Sequence, residues 1–148
     1  MNLSDTWVAA ATLMADYWRR VDGTCDAPVD ELYVESCLMH VGASRLEGRL
    51  QIRTFYDERR QGEIAASRTT RHLVSNLLVE SIEPGRVRVH STVQVMAGIG
   101  VLPLSSSPAV TLGDFEDVMV ELSPGNWRIE SRHARMVFSA AGALSLVR

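Results

Sequence analysis

The residues of this chain best equipped for chemistry are its histidines, at positions 40, 72, 90 and 133. An imidazole changes charge near pH 6.5, at about the middle of the ordinary working range, so each can take up or release a proton there. His72 sits in the stretch RTTRHLVSNLLVES, four residues before Asn76, with apolar neighbours beside both. A spacing of four puts two side chains on one side of a helix and, being even, also on one face of a strand. A base with an amide two pleats away in apolar surroundings suits a pocket that handles protons. It equally suits a buried polar pair that satisfies its own hydrogen bonds. Asp117 is an acid that could pair with Arg132 or Arg135 on an adjacent strand, and Tyr17 and Trp18 close an N-terminal apolar stripe.

Other chemistries find little support. The histidines show no H-x-H or H-x₃-H spacing and no clustered carboxylates, so no metal site is expected. The GIG at 98–100 lies inside a strand-like region with no helix after it, which argues against a phosphate loop. GASRL is not a nucleophile elbow, and the serines of LSSSP have no evident base. The loop between Pro103 and Pro108 reads as a long hairpin connection, with a flap over a pocket as the alternative.

The elements that must hold these residues belong to a chain of 148 residues, 46% of them hydrophobic, which is enough for one domain spanning 1–148 with a real core. A formal charge of −3 with arginines scattered among acids leaves no basic footprint for nucleic acid. Cys25 and Cys37 are too few for a disulfide framework and lack C-x-x-C spacing, so a reducing cytoplasm is the expected location. No leader-like stretch and no membrane-length apolar run is seen.

Residues 3–21 read as a helix that Ser4 or Asp5 can cap, with Trp7, Ala11, Met14, Trp18 and Val21 as its core face. DGTCDAP breaks it, and APVDELYVES permits a short helix with Pro28 in its first turn. SCLMHVGAS and SRLEG read as two short strands, and GRLQIRTFYDERRQ as a third helix stopping near Gly62. The second half holds four long segments rich in Val, Ile, Leu and Thr, separated by EPG, PLSSSP and SPGN. Four antiparallel strands behind N-terminal helices imply an α+β domain whose helices cover one face of a curved sheet.

This order, with YW late in the first helix, HVG…LEGRLQIRTFY, RHLVSNLLV and FEDVMVELSPGNWRIESRHARMVF, resembles the superfamily of nuclear transport factor 2, ketosteroid isomerase, scytalone dehydratase and the SnoaL-type polyketide cyclases. The last two stretches are also similar to the small β subunit of aromatic-ring-hydroxylating dioxygenases. The resemblance implies a cone-shaped antiparallel sheet with a pocket roofed by helices, and an outer face that packs on a second subunit. It places His72 where scytalone dehydratases carry a pocket histidine, and so assigns His72, Val74, Asn76 and Leu78 to the cavity. Leu73, Ser75, Leu77 and Val79, with Val87, Val89, Val93 and Val95, are then expected on a homodimer face.

The resemblance further implies His40 as the counterpart of the isomerase base, Asp117 as an oxyanion-binding acid that must stay protonated in an apolar site, and Tyr17 as the oxyanion-hole tyrosine. For Asp117 the ion pair with an arginine stands ahead of that role. Trp18 is expected to reach the cavity from the first helix. His90 alternates in phase with Thr92, Gln94 and Met96, which puts His90 and Met96 among the cavity residues, and the second scytalone dehydratase histidine would fall near Met96. Trp7, Phe55, Phe115 and Trp127 read as packing residues, and Phe115 is also carried as a cavity wall. The expected function is binding of a small hydrophobic molecule, with isomerase, dehydratase or cyclase chemistry that needs no cofactor. The alternative is a non-catalytic assembly module that partners a large oxygenase subunit.

Overall fold

The computed structural model describes residues 2–105 and 109–139. The first helix, α1 (Leu3–Val21), is capped two residues ahead of Ser4, since Asn2 Oδ1 accepts the Asp5 N–H at 2.9 Å. Asp5 in its first turn and Arg19 and Arg20 in its last both complement the helix dipole. Ala10, Met14, Tyr17, Trp18 and Val21 form its buried stripe. Trp7 was expected in that stripe but is 46% exposed, because it lies beyond the sheet's last strand, its Nε1 donating to Leu77 O at 3.4 Å.

The second expected helix shrinks to one 3₁₀ turn, Val29–Leu32, with Pro28 as its cap residue rather than inside it. Asp30 in that turn is held by Arg49 and Arg53 at 3.0 Å each. From Tyr33 the chain is already strand, because Tyr33 pairs with Ile129. The elements that follow are β1 (Tyr33–Val41), β2 (Ser44–Glu47), α2 (Gly48–Ala65), β3 (Arg68–Glu83), β4 (Arg86–Ile99), β5 (Ala109–Ser123) and β6 (Asn126–Ser139). Helix α2 does not stop at Gly62. Its Arg59 and Glu63, one turn apart and joined at 3.0 Å, carry the helix across that residue.

The sheet has six strands in the order β2-β1-β6-β5-β4-β3, antiparallel except where β1 runs parallel to β6. The four long strands come where the sequence put them, and β1 and β2 extend the same sheet. Helix α1 packs against β3 and β6, and α2 against β1, β2 and β3. The result is an α+β cone, a curved sheet left open and roofed by helices.

Two expected faces are corrected by register. Across β3 and β4, His72 opposes Val95 and Val74 opposes Val93, and directly opposed residues share a face. Val87, Val89, Val93 and Val95 are therefore on the inner face, 7% exposed or less, and do not form an outer dimer face. Alternation then puts His90 and Met96 on the outer face, away from the cavity. On β3 the pairing shifts between Ser75 and Leu78, and Asn76 takes a left-handed backbone with φ 52°. The extra residue reverses the phase, so Leu77 and Val79 turn inward while Asn76 and Leu78 are exposed. Asparagine is among the few residues with a side chain that adopt this conformation readily.

Candidate functional site

The cavity sits between the sheet's inner face and the two helices. Its volume is about 40 Å³, room for a few water molecules. Helix α1 supplies Trp18 and Val21, and α2 supplies Phe55, Tyr56 and Arg59, spaced to fall on one side of the helix. The sheet supplies Met39, His72, Val93, Phe115, Arg132 and Met136, among others. Gly113 lets the Met136 side chain pack close, since a Cβ there would stand 2.6 Å from Met136 Cε. The surroundings are thus apolar, with a base and guanidinium groups set into them.

His72 is the base. Its Nδ1 lies 2.6 Å from Asp22 Oδ1, and its backbone N–H donates to Asp22 Oδ2 at 2.9 Å. Thr70 Oγ1 also donates to Asp22 Oδ1, at 2.8 Å. The imidazole stacks on the Trp18 ring with centroids 4.2 Å apart and planes 8° from parallel. Burial pushes the His72 pKa below its ordinary value, a pull that the Asp22 hydrogen bond opposes without cancelling. Burial would raise the Asp22 carboxyl, but the bonds from His72 and Thr70 outweigh it and hold it below the usual range. The stable arrangement is a neutral imidazole with its proton on Nδ1, facing a carboxylate. Nε2 is then left as an unprotonated acceptor.

Arg132 provides the opposite pole. Its Nε and Nη2 donate to the two oxygens of Asp117 at 2.7 and 2.9 Å, and both residues are buried. Its guanidinium carbon lies 3.9 Å from the centroid of the Tyr17 ring. Nη1 is buried with no hydrogen-bond partner, in a residue that lines the cavity. Burial works against the charge on Arg132, yet Asp117 and the surrounding tyrosines keep it firmly protonated.

Of the residues singled out from the sequence, His72, Trp18 and Phe115 meet at the cavity. Tyr17 lies behind it, fully buried, with its hydroxyl 3.0 Å from that of Tyr33 and bonded to Tyr56 as well. Burial raises the pKa of all three, so they stay neutral hydroxyls. Asp117 forms the arginine pair with Arg132 instead of Arg135, which pairs with Asp114. Both Asp117 oxygens are turned to Arg132, and Asp117 does not line the cavity. His40 is exposed on the outer face, its ring 5.8 Å from that of His133, while its neighbour Met39 points in at 1% exposure. His90 is on the same outer face, 2.9 Å from Glu80. Asn76 and Met96 are outside the cavity for the register reasons given above. Ser106, Ser107 and Pro108 of the expected flap lie outside the described residues.

Arg132 and Arg59 were not foreseen as cavity groups, nor Asp22 as the partner of His72. Asp22 looked like part of a helix break, being followed by Gly23 at φ 68°, and only the fold brings it to a strand 50 residues on. Among the described residues, no group of three His, Cys, Asp or Glu could hold a metal ion. No helix among them is long and apolar enough to cross a membrane.

With this geometry in hand, the comparison with known proteins is decisive for family. The profile of the SnoaL-like domain matches residues 6–133. The chain belongs to the SnoaL-like domain family. No protein with a curated description matches it. Among solved structures, this SnoaL-like chain is similar to a putative scytalone dehydratase from Novosphingobium aromaticivorans, at 21% identity, TM-score 0.72, covering 89% of this chain and 84% of that one. It is also similar to ActVI-ORFA from Streptomyces coelicolor, at 14% identity and TM-score 0.79, covering 93% and 99%. A third is the hexachlorocyclohexane dehydrochlorinase LinA-type3 from Novosphingobium barchaimii, at 13% identity and TM-score 0.71, covering 90% and 87%. At these identities the likeness is one of fold.

Proposed function

We propose that this SnoaL-like protein binds a small hydrophobic molecule in its cavity and removes a proton from one of its carbons, leading to elimination or isomerisation. The observation that carries this reading is the buried His72–Asp22 pair, with Nδ1 2.6 Å from the carboxylate and the ring in the cavity wall. In the step proposed, His72 Nε2 takes the proton from carbon. Asp22 fixes the tautomer beforehand and stabilises the imidazolium that forms. The electron pair left on carbon moves to a carbonyl oxygen, giving an enolate, or expels a leaving group from the next carbon. Either way negative charge gathers where Arg132 Nη1 has a hydrogen bond to give, in surroundings that strengthen it.

A dehydratase and a dehydrochlorinase both remove a proton and a neighbouring leaving group, and proteins of those names share this fold. A cavity wall that carries a buried imidazole held by a carboxylate favours this reading over an assembly module, which needs no such pair. A homodimer through the outer face belongs to the same proposal, supported there by Leu73 at 50% and Phe138 at 66% exposure. Sedimentation of the protein before and after Leu73→Glu tests it, and a monomer before substitution removes it.

The chemistry is tested with a panel of cyclic ketones and β-hydroxy or β-halo carbonyl compounds in D₂O, following deuterium uptake and leaving-group release by NMR. His72→Gln should slow any turnover by about 10²- to 10⁴-fold, the usual worth of a positioned base. Turnover of a cavity-bound compound that survives this substitution unchanged would remove His72 from the reaction.

A further inference from the structure

Outside the cavity, a second concavity of about 670 Å³ runs between α1 and β3. Its walls are Trp7, Ala11, Ala15 and Trp18 on the helix and Val74 and Leu77 on the strand. The two elements run in opposite directions, since Trp7 bonds to Leu77 at one end and Asp22 to His72 and Thr70 at the other. Ala11 and Ala15, one turn apart, have no bulk beyond Cβ and so open a trough on this side of the helix. From Trp7 to Ala15 that trough is about 12 Å long at 1.5 Å per residue, the reach of a medium acyl chain.

The two ends differ. Trp7, 46% exposed, offers a broad apolar plate at one end. Arg19 and Arg71 line the other, and neither makes an ion pair among the described residues. Arg71 uses Nη1 on its neighbour's carbonyl, Thr70 O at 2.7 Å, which leaves its other N–H groups for a partner. Asp22 lies at that end too, its oxygens bonded by His72 and Thr70, so two guanidiniums there outnumber one carboxylate. The groove therefore joins an apolar trough to a cationic end.

We infer that this groove is a binding site for a free amphipathic carboxylate of medium chain length, its tail along Ala11 and Ala15 and its head between Arg19 and Arg71. The site is separate from the cavity, and the stacked Trp18 and His72 belong to the walls of both. The charge of the Arg19–Arg71 end decides for an acid over an alcohol or an ammonium of equal length.

The test is a titration of the full chain with decanoate, followed by tryptophan fluorescence, beside decan-1-ol and decyltrimethylammonium. Saturable one-to-one binding of decanoate is expected, with the alcohol weaker and the ammonium weakest. Arg19→Glu with Arg71→Glu should weaken decanoate about tenfold or more. Ala15→Trp, at an exposed position, should fill the trough and abolish binding while circular dichroism stays unchanged. The inference is overturned by absent saturation, by equal binding of the ammonium, or by decanoate affinity that Ala15→Trp leaves intact, which would put the acid in the inner cavity or on the general surface.

Discussion

Replacing Asp22 with asparagine tests the central geometry without knowledge of any substrate. Asp22 accepts three hydrogen bonds, from the His72 backbone N–H, the His72 ring and the Thr70 hydroxyl. Asparagine keeps one acceptor oxygen and turns the other atom into a donor, so at least one of those three donors meets an N–H. Hydrogen bonds to a charged group contribute about 1.5–3 kcal/mol each, so one bond lost and the others reduced to neutral strength should cost about 2–4 kcal/mol. If the amide turns toward the ring, Nδ1 becomes an acceptor and the proton moves to Nε2, the wrong place for a base. Nitrogen-15 NMR of the imidazole reads the tautomer directly, and urea unfolding reads the stability. In the native protein His72 should carry its proton on Nδ1 and titrate below about pH 6.5; in Asp22→Asn its pKa should fall further, because Asp22 raises it. A native His72 that titrates above that value would refute the neutral resting imidazole, and a variant with unchanged stability and tautomer would refute the dyad.

Other consequences are as concrete. Arg132→Met strands the buried Asp117 carboxylate and should cost about 3–5 kcal/mol in urea unfolding, whereas pairing it with Asp117→Leu should recover most of the loss. Asn76→Val forces a β-branched residue into a left-handed backbone and should cost about 1–2 kcal/mol, with Asn76→Gly close to neutral by the same measurement. Stability should also depend on pH in a defined sense. The folded pKa values of His72 and Asp22 are both depressed, so the unfolded chain takes up protons first. The His72 contribution, full above about pH 6.5, is lost as pH falls through its lowered folded value, and the Asp22 contribution, full above about pH 3.9, is lost further down. Thermal melts across that range that rise on acidification would contradict this.

The helix and strand order was readable because periodicity and turn residues carry it: α1, β2 and the four long strands all fall close to where the apolar spacing put them. The pocket histidine was readable too, through the resemblance carried by RHLVSNLLV. Which way residues face was harder. Alternation alone made Asn76 an inward partner of His72, which failed at the extra residue in β3 that no period-two count can reveal, and it made His90 a cavity residue, which failed on the pairing of β4 with β3. The relative phase of β3 and β4 depends on register, which here sets His72 against Val95. Asp22 was hidden for a different reason. It stands at the C-terminal end of a helix, where an acid beside a glycine reads as a stop, and its contact with His72 crosses 50 residues of chain.

The bulge in β3 also makes two levers of one strand. Because Asn76 is supernumerary, the segment bearing His72 and the segment bearing Val79 keep independent frames, each docked by its own neighbours on β4. Excising residue 76 would leave the same side chains aimed at the interior while straightening the ribbon between them. Curvature of the vessel could thus be tuned by a one-codon change without rewriting its lining.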